Sequence, residues 1–160
     1  MRRTDREVTN RDEIIDILRR ADTIRLGIHD SPFPYVVPLS FGMEDIDGQV
    51  AIYIHGAKEG LKHTLLDKNN HVCVEASILH CYEEIATGIT ARYESIIGFG
   101  TATVVSGDEA VKGLDLICAH CGYENYEYNT AGLAHMRIYR ITLSSITGKR
   151  QPNPLILYGI

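Results

Sequence analysis

The segment 55–62, with the sequence HGAKEGLK, combines residue types that can bind a small anion. Gly56 and Gly60 let backbone N–H groups approach a ligand closely, and a helix predicted to start here adds a partial positive charge at its N-terminus. Lys58 and Lys62 are four residues apart, so both can flank one side of the first turn. The segment is therefore a candidate phosphate site, and a plain strand-to-helix turn with a solvated basic face is the alternative.

His55 opens this segment and is the candidate catalytic residue, since one ring nitrogen can donate a hydrogen bond near neutral pH. The rest of the chain offers no Ser-His-Asp arrangement, no paired-carboxylate signature and no H-E-x-x-H. Chemistry at this site is therefore expected to be carried by a bound cofactor.

A second candidate segment, YVVPLSF at 35–41, precedes the anion segment. Pro38 has no N–H and interrupts the hydrogen-bond ladder of a predicted strand. Backbone groups freed there can bond the edge of a planar heterocycle, with Val37 and Leu39 packed on its face. An edge strand with a bulge is the alternative.

Cys118 and Cys121 form a C-x-x-C sequence, which raises the question of a metal or redox site. A zinc or iron–sulfur site needs a second pair at matching spacing, and the sequence has none. A catalytic dithiol usually opens a helix, where the dipole lowers the thiol pKa, whereas this pair is predicted at a helix end. Idle thiols are the favoured interpretation, and no metal site is predicted.

The composition is that of one soluble domain over residues 1–160, with a polar arm at 1–9 and a tail at 151–160. Its 160 residues are 44% hydrophobic and 23% charged, and the formal charge is −5. This acidic balance argues against a general nucleic-acid binder. No apolar run is long enough to cross a membrane, and the charged N-terminus is not a secretory signal. The expected location is the cytoplasm, with reduced cysteines.

Hydrophobic periodicity predicts the elements that position these residues. Helices are expected at 11–21, from about 60 to 69, and at 108–121, with capping boxes at Asn10/Glu13 and Ser106/Glu109. Strands are expected at 23–29, 35–41, 49–54, 71–77, 90–105 and 134–146, with Asp47-Gly48 as a hairpin turn. Residues 78–89 are ambiguous and fit a strand leading into a loop. Six strands with short connections predict a mainly β fold, a closed or nearly closed antiparallel barrel with flanking helices.

Several blocks of the sequence together resemble a known superfamily. They are MRRTDREVTN, PYVVPLSFG, YIHGAKEGLKHTLLDKN, RYESIIGFGTATVV and ITGKR, in this order over about residues 1–150. The chain resembles the pyridoxamine 5′-phosphate oxidase-like flavin-binding split-barrel superfamily, and within it the nitroimidazole-resistance proteins.

The resemblance implies a six-stranded split barrel that dimerises, with FMN (FAD is possible) in clefts between the subunits. It implies a flavin-dependent reductase of nitroaromatic or other small planar acceptors. The implied cofactor-binding residues are Val37, Pro38, Leu39 and Ser40 at the ring, His55, Gly56, Ala57, Lys58 and Lys62 at the phosphate, and Tyr93, Ser95 and Lys149 (or Arg150) lining the cleft.

One departure bears on the substrate. Family members often carry a Cys and a Trp shortly before the Y-x-S segment, whereas residues 86–90 are ATGIT and the chain has no tryptophan. The alternatives are pyridoxamine-phosphate oxidation, a deazaflavin cofactor, haem (with His55, His71 and His135 as available histidines), or flavin binding without turnover. The physiological substrate and the electron donor are not specified by the sequence.

Overall fold

A computed structural model describes residues 3–151, which form three helices and eight strands. The helices are α1 (Arg11–Arg20), α2 (Leu61–Lys68) and α3 (Gly107–His120). The strands are β1 (Glu7–Val8), β2 (Ile24–Ile28), β3 (Tyr35–Leu39), β4 (Gly42–Ile46), β5 (Gln49–Ala57), β6 (His71–Ile85), β7 (Gly88–Val105) and β8 (Met136–Gln151). Most of the predicted tail, residues 152–160, lies outside the described residues.

The sheet is antiparallel throughout, with strand order β3-β2-β6-β7-β8-β5-β4 and β1 added beside β8. Strands β3 and β4 are consecutive in the chain but lie at opposite edges, separated by Ser40 and Phe41. Within residues 3–151 these two edges do not pair, so the barrel is split. The predicted mainly β split barrel is confirmed, and its two further strands are β1 and β4.

Two local predictions rest on backbone chemistry and agree with the structure. Pro38 lies in β3, an edge strand that pairs only with β2 among the described strands. The β4–β5 hairpin turns at Asp47 and Gly48, whose φ angles are 52° and 81°. Positive φ at both central residues is the geometry that an Asp-Gly pair favours.

Two strands extend further than the periodicity indicated. The ambiguous stretch 78–85 continues β6, which turns back into β7 at Ala86 and Thr87. The last strand runs to Gln151, beyond the predicted end at residue 146. A Cβ on Gly148 would lie 2.8 Å from Ile14, so glycine here lets β8 approach α1 closely.

The two predicted helix caps differ in outcome. The Asn10 side chain accepts hydrogen bonds from the N–H groups of Asp12 (2.8 Å) and Glu13 (3.4 Å), so the first cap is confirmed. Ser106 occupies the N-cap of α3 but makes no side-chain cap bond, so the second capping box is wrong. Glu109 instead accepts a hydrogen bond from Arg140 at 2.7 Å.

Two hydrophobic clusters lie on opposite faces of β5 and define where the site is built. Val50, Ile52 and Ile54 belong to the main barrel core, together with α1 and α2. Ala51 and Tyr53 belong to a smaller cluster beneath α3. Because side chains alternate along a strand, the end of β5 presents successive residues to α2 and to α3 in turn.

The predicted N-terminal arm is docked on the barrel. Residues Thr4–Arg6 form a 3-10 turn, and β1 pairs with the end of β8. Val8 is buried in the main core. None of the helices in the described residues is long and apolar enough to cross a membrane.

Candidate functional site

The end of β5 separates the predicted anion segment into two faces. Gly56 faces α2, where an added Cβ would lie 2.8 Å from Lys62 Nζ and 3.3 Å from His63 Nε2. The His55 side chain faces the opposite way and lines a cavity against α3. The sequence placed His55 and Lys62 around one phosphate, whereas the structure turns the imidazole away from the α2 face.

Lys62 is the cation on the face of β5 that is turned toward α2. Its Nζ donates a hydrogen bond to the His55 carbonyl at 3.1 Å, which fixes the ammonium beneath the turn. Lys62 is half-buried, and this burial lowers its pKa. Lys58 and Ala57 are exposed above it. The glycine at 56 leaves the space that the ammonium occupies.

His63 is a buried histidine that orients the same turn, and it was not among the predicted site residues. Its ring is 4% exposed, stacks on the Tyr139 ring and lies with Nδ1 2.9 Å from the Tyr139 hydroxyl. Burial lowers the His63 pKa, as do the charges of Lys62 and Arg137. The ring is therefore a neutral imidazole at neutral pH.

Replacing Tyr139 by phenylalanine is expected to lower the free energy of unfolding by about 1–2 kcal/mol, because the buried Nδ1 of His63 loses its hydrogen-bond partner. Urea unfolding at pH 7 measures this change. Tyr82→Phe is the matched control, since that tyrosine is 71% exposed, and it should have no effect. Equal stabilities of the two variants would contradict the assigned hydrogen bond.

The α3 face holds a cavity of about 420 Å³. Its lining comes from the β3–β4 connection, the end of β5, the end of α3 and the loop that follows, and comprises Ser40, His55, Ile117, Cys118, Cys121, Tyr123 and Tyr126. His55 is half-buried there, and burial lowers its pKa, followed by the charge of Lys62. Two predicted site residues, Ser40 and His55, are thus brought together with a cysteine pair that was interpreted as idle.

Strand β3 presents its predicted ring-binding residues differently from expectation. Val37 and Leu39 are partly buried against the barrel core, so their side chains do not face an external ligand. Pro38 and Val36 lie on the exposed face of this edge strand. A planar ligand at β3 would therefore meet backbone groups and the outward side chains.

Tyr93, Ser95 and Lys149 form a separate group on β7 and β8. Ser95 pairs with Lys149, whose Nζ lies 5.8 Å from the centre of the Tyr93 ring. Burial raises the Tyr93 pKa, but hydrogen bonds from Lys149 and Arg6 outweigh it, so the pKa is lowered. Lys149 and the residue that pairs with His55 both lie on β8. They are separated by about 35 Å along this extended strand. One copy of the chain does not bring this group to the cavity.

Arg150, the alternative to Lys149, is engaged elsewhere. Its guanidinium donates to Glu94 and Glu13, each at 2.6 Å. The described residues contain no group of three or more His, Cys, Asp or Glu side chains arranged to hold a metal ion.

Comparison with known families decides which family this architecture represents. Residues 10–150 match the family model described as pyridoxamine 5′-phosphate oxidase. The chain belongs to the pyridoxamine 5′-phosphate oxidase family. The matched range contains both faces of the β5 end, α3 and the Tyr93 group. No match was found among curated proteins.

Solved structures of similar fold include one from Bacteroides thetaiotaomicron named as a 5-nitroimidazole antibiotic resistance protein. It is 28% identical, with a TM-score of 0.79 over 89% of this chain and 85% of that one. The flavocytochrome Anf3 of Azotobacter vinelandii is 16% identical, with a TM-score of 0.79 over 96% and 73% of the two chains. An FAD-binding protein of Mesorhizobium loti is 17% identical, with a TM-score of 0.65 over 91% and 97%. The last two share the fold of this family member.

Proposed function

We propose that this chain is a flavin-dependent oxidoreductase that reduces nitroaromatic, 5-nitroimidazole-like or other small planar acceptors through bound FMN. The observation that supports it most directly is that the end of β5 has a cationic turn on one face and a cavity lined by His55 on the other. Family membership and the nitroimidazole-resistance relative at 28% identity support the proposal.

The residues at the cationic turn fit the phosphate of FMN. Lys62 supplies a fixed ammonium, the exposed Lys58 adds a second cation, and the first amides of α2 have no acceptor within the helix. A Cβ at Gly56 would displace the ammonium from its place. Strand β3, which ends next to Ser40, pairs on one side only within residues 3–151. Its free backbone groups can bond the edge of the flavin ring. The same protein groups would bind a phosphate of FAD, which is a longer ligand.

Bound flavin supplies electron and hydride transfer, and the protein supplies position and a hydrogen-bond donor. His55 is the proposed donor, because its lowered pKa keeps the ring neutral with one N–H available. That N–H, in a half-buried cavity, can donate a hydrogen bond to an oxygen of the acceptor and stabilise the negative charge that develops there.

A second copy of the chain is part of the proposal. The outward residues Val36, Phe99 and Ile97 are 57%, 54% and 45% exposed, and the strand registers place them on one face of the barrel with Ser95 and Tyr93. Such a contiguous apolar patch is typical of an interface. In a homodimer through this face, the Tyr93 group of one subunit would approach the flavin cleft of the other. A cytoplasmic location remains a prediction.

The visible absorption spectrum of the purified protein, with mass spectrometry of the released ligand, tests this function. We expect a flavin spectrum, FMN in the released fraction, and consumption of a nitroaromatic compound when the flavin is reduced with dithionite under anaerobic conditions. A protein that takes up no flavin would overturn the proposal, and a Soret band would favour the haem alternative. Bound flavin that never passes electrons to the nitro compound would favour a binding protein without turnover.

A further inference from the structure

We propose that the cavity between His55 and the C-terminal end of α3 is the acceptor site, and that Tyr123 and Tyr126 select a flat, uncharged aromatic ligand. This inference rests on the proposed function for the identity of the reaction.

The cavity has the size and lining of a small-molecule site. Its volume of about 420 Å³ falls within the range of roughly 300–1,000 Å³ for ligand pockets, which are mostly apolar with a few placed polar groups. Ile117 and the two tyrosines supply the apolar walls, and Ser40 and His55 supply polar groups at the β-sheet end.

The two tyrosines form an aromatic surface that the fold does not cover. Their rings pack edge to face, with centroids 6.0 Å apart and planes at 73°. Tyr123 is 63% exposed and Tyr126 is 56% exposed. Large aromatic side chains left open beside a cavity favour a planar ring as ligand, since aromatic pairs adopt stacked or edge-to-face contacts.

The charge of the lining favours a neutral ligand. Among the described residues that line the cavity, none carries a carboxylate or an ammonium group. Burial raises the pKa of the Cys118 thiol, as do the neighbouring Cys121 and Asp115, so this sulfur is a neutral, polarizable thiol at pH 7. An uncharged aromatic compound with a hydrogen-bond acceptor, directed at His55, matches these groups.

The cysteine pair makes the site directly testable. The rate of alkylation of Cys118 and Cys121 by iodoacetamide is measured by peptide mass spectrometry, with and without 4-nitrobenzamide, in the protein as purified and after removal of any flavin. We expect at least fivefold protection of both thiols by 4-nitrobenzamide. Cyclohexanecarboxamide, a puckered ring with the same amide, should protect much less. The rate at Cys73, on β6, should not change.

Substitution of one tyrosine separates ligand selection from folding. Tyr126→Ala is expected to weaken 4-nitrobenzamide binding about tenfold, with flavin content and thermal stability unchanged. Tyr82→Ala, which removes an exposed tyrosine of the β6–β7 hairpin, should leave binding unchanged. Tyr126→Phe should bind 4-nitrobenzamide as tightly as the wild type does, since the ring provides the contact.

The outcomes distinguish this inference from the proposed function. Absence of thiol protection, or equal protection by the two amides, overturns the acceptor site even if the protein binds flavin and reduces the nitro compound elsewhere. Protein without flavin overturns the proposed function, whereas thiol protection by 4-nitrobenzamide in that protein still supports the aromatic site. Loss of binding in Tyr126→Ala with normal flavin content supports both.

Discussion

Replacing Glu94 by glutamine is expected to lower the free energy of unfolding by about 2–3 kcal/mol at pH 7. The Glu94 side chain is 8% exposed. It accepts hydrogen bonds from Arg20 (2.8 Å), Arg150 (2.6 Å) and His80 (3.2 Å). One carboxylate thus joins α1, β6, β7 and β8.

The magnitude follows from what the variant leaves behind. Removal of one partner from a buried ion pair typically costs about 3–5 kcal/mol, because the other charge stays uncompensated. Here Arg20 keeps Asp16, and Arg150 keeps Glu13. The two guanidinium groups are also partly exposed, so water compensates them in part. The expected loss is therefore below the typical range.

Asp16→Asn is the matched control, since Asp16 binds the same arginine but is 51% exposed. Exposed pairs contribute about 0–1 kcal/mol, so this variant should change stability by less than 1 kcal/mol. Urea unfolding of both variants measures the difference. If both lose the same stability, Glu94 is not the buried centre of the network.

The contribution of Glu94 should depend on pH in a defined direction. Burial raises the Glu94 pKa, but hydrogen bonds from Arg20 and Arg150 outweigh this, so the pKa is lowered from its ordinary value of 4.5. The unfolded chain then takes up the proton at higher pH than the folded protein. The stabilisation is complete above about pH 4.5 and is lost as pH falls through the folded pKa. The stabilities of wild type and Glu94→Gln should therefore converge in acid.

Glu94 also shows where sequence reasoning ends. The strand 90–105 was predicted from its β-branched and aromatic residues, and that prediction identified the element correctly. The partners of Glu94 lie 74 and 56 residues away, so only the assembled sheet brings them together. Local chemistry correctly predicted that Pro38 lies on an edge strand and that Asp47-Gly48 forms a hairpin turn. The separation of β3 and β4 to opposite edges depends on long-range pairing, which no local pattern encodes.

The candidate site was predicted in part for the same reason. Glycine and lysine spacing located the turn around Gly56 and Lys62, because a strand-to-helix junction is a local feature. The period of two along β5 could have shown that His55 faces away from Gly56. The joining of the C-x-x-C sequence to His55 could not be predicted, since it depends on how α3 crosses the sheet. His63 carried a weak signal, as a histidine beside two leucines on the buried face of α2.

Lys62→Ala is expected to weaken FMN binding about 10- to 100-fold while leaving riboflavin binding almost unchanged. A hydrogen bond to a charged group is worth about 1.5–3 kcal/mol, and the Lys62 ammonium is already fixed on the His55 carbonyl. Riboflavin lacks the phosphate, so it reports on the ring contacts alone. Quenching of flavin fluorescence gives both affinities. Lys68→Ala, an exposed lysine in the last turn of the same helix, is the control and should affect neither ligand.

The pH dependence of FMN binding provides an independent check on Lys62. Burial lowers its pKa from 10.5, so the ammonium loses its proton at a lower pH than a free lysine would. FMN affinity should therefore fall on the alkaline side, beginning below pH 10.5, and this fall should be absent in Lys62→Ala. Equal weakening of FMN and riboflavin in the variant would mean that Lys62 supports the turn without contacting the phosphate. A selective loss of FMN, together with the missing alkaline fall, would assign the phosphate to the α2 face of β5 and leave the α3 face for the acceptor.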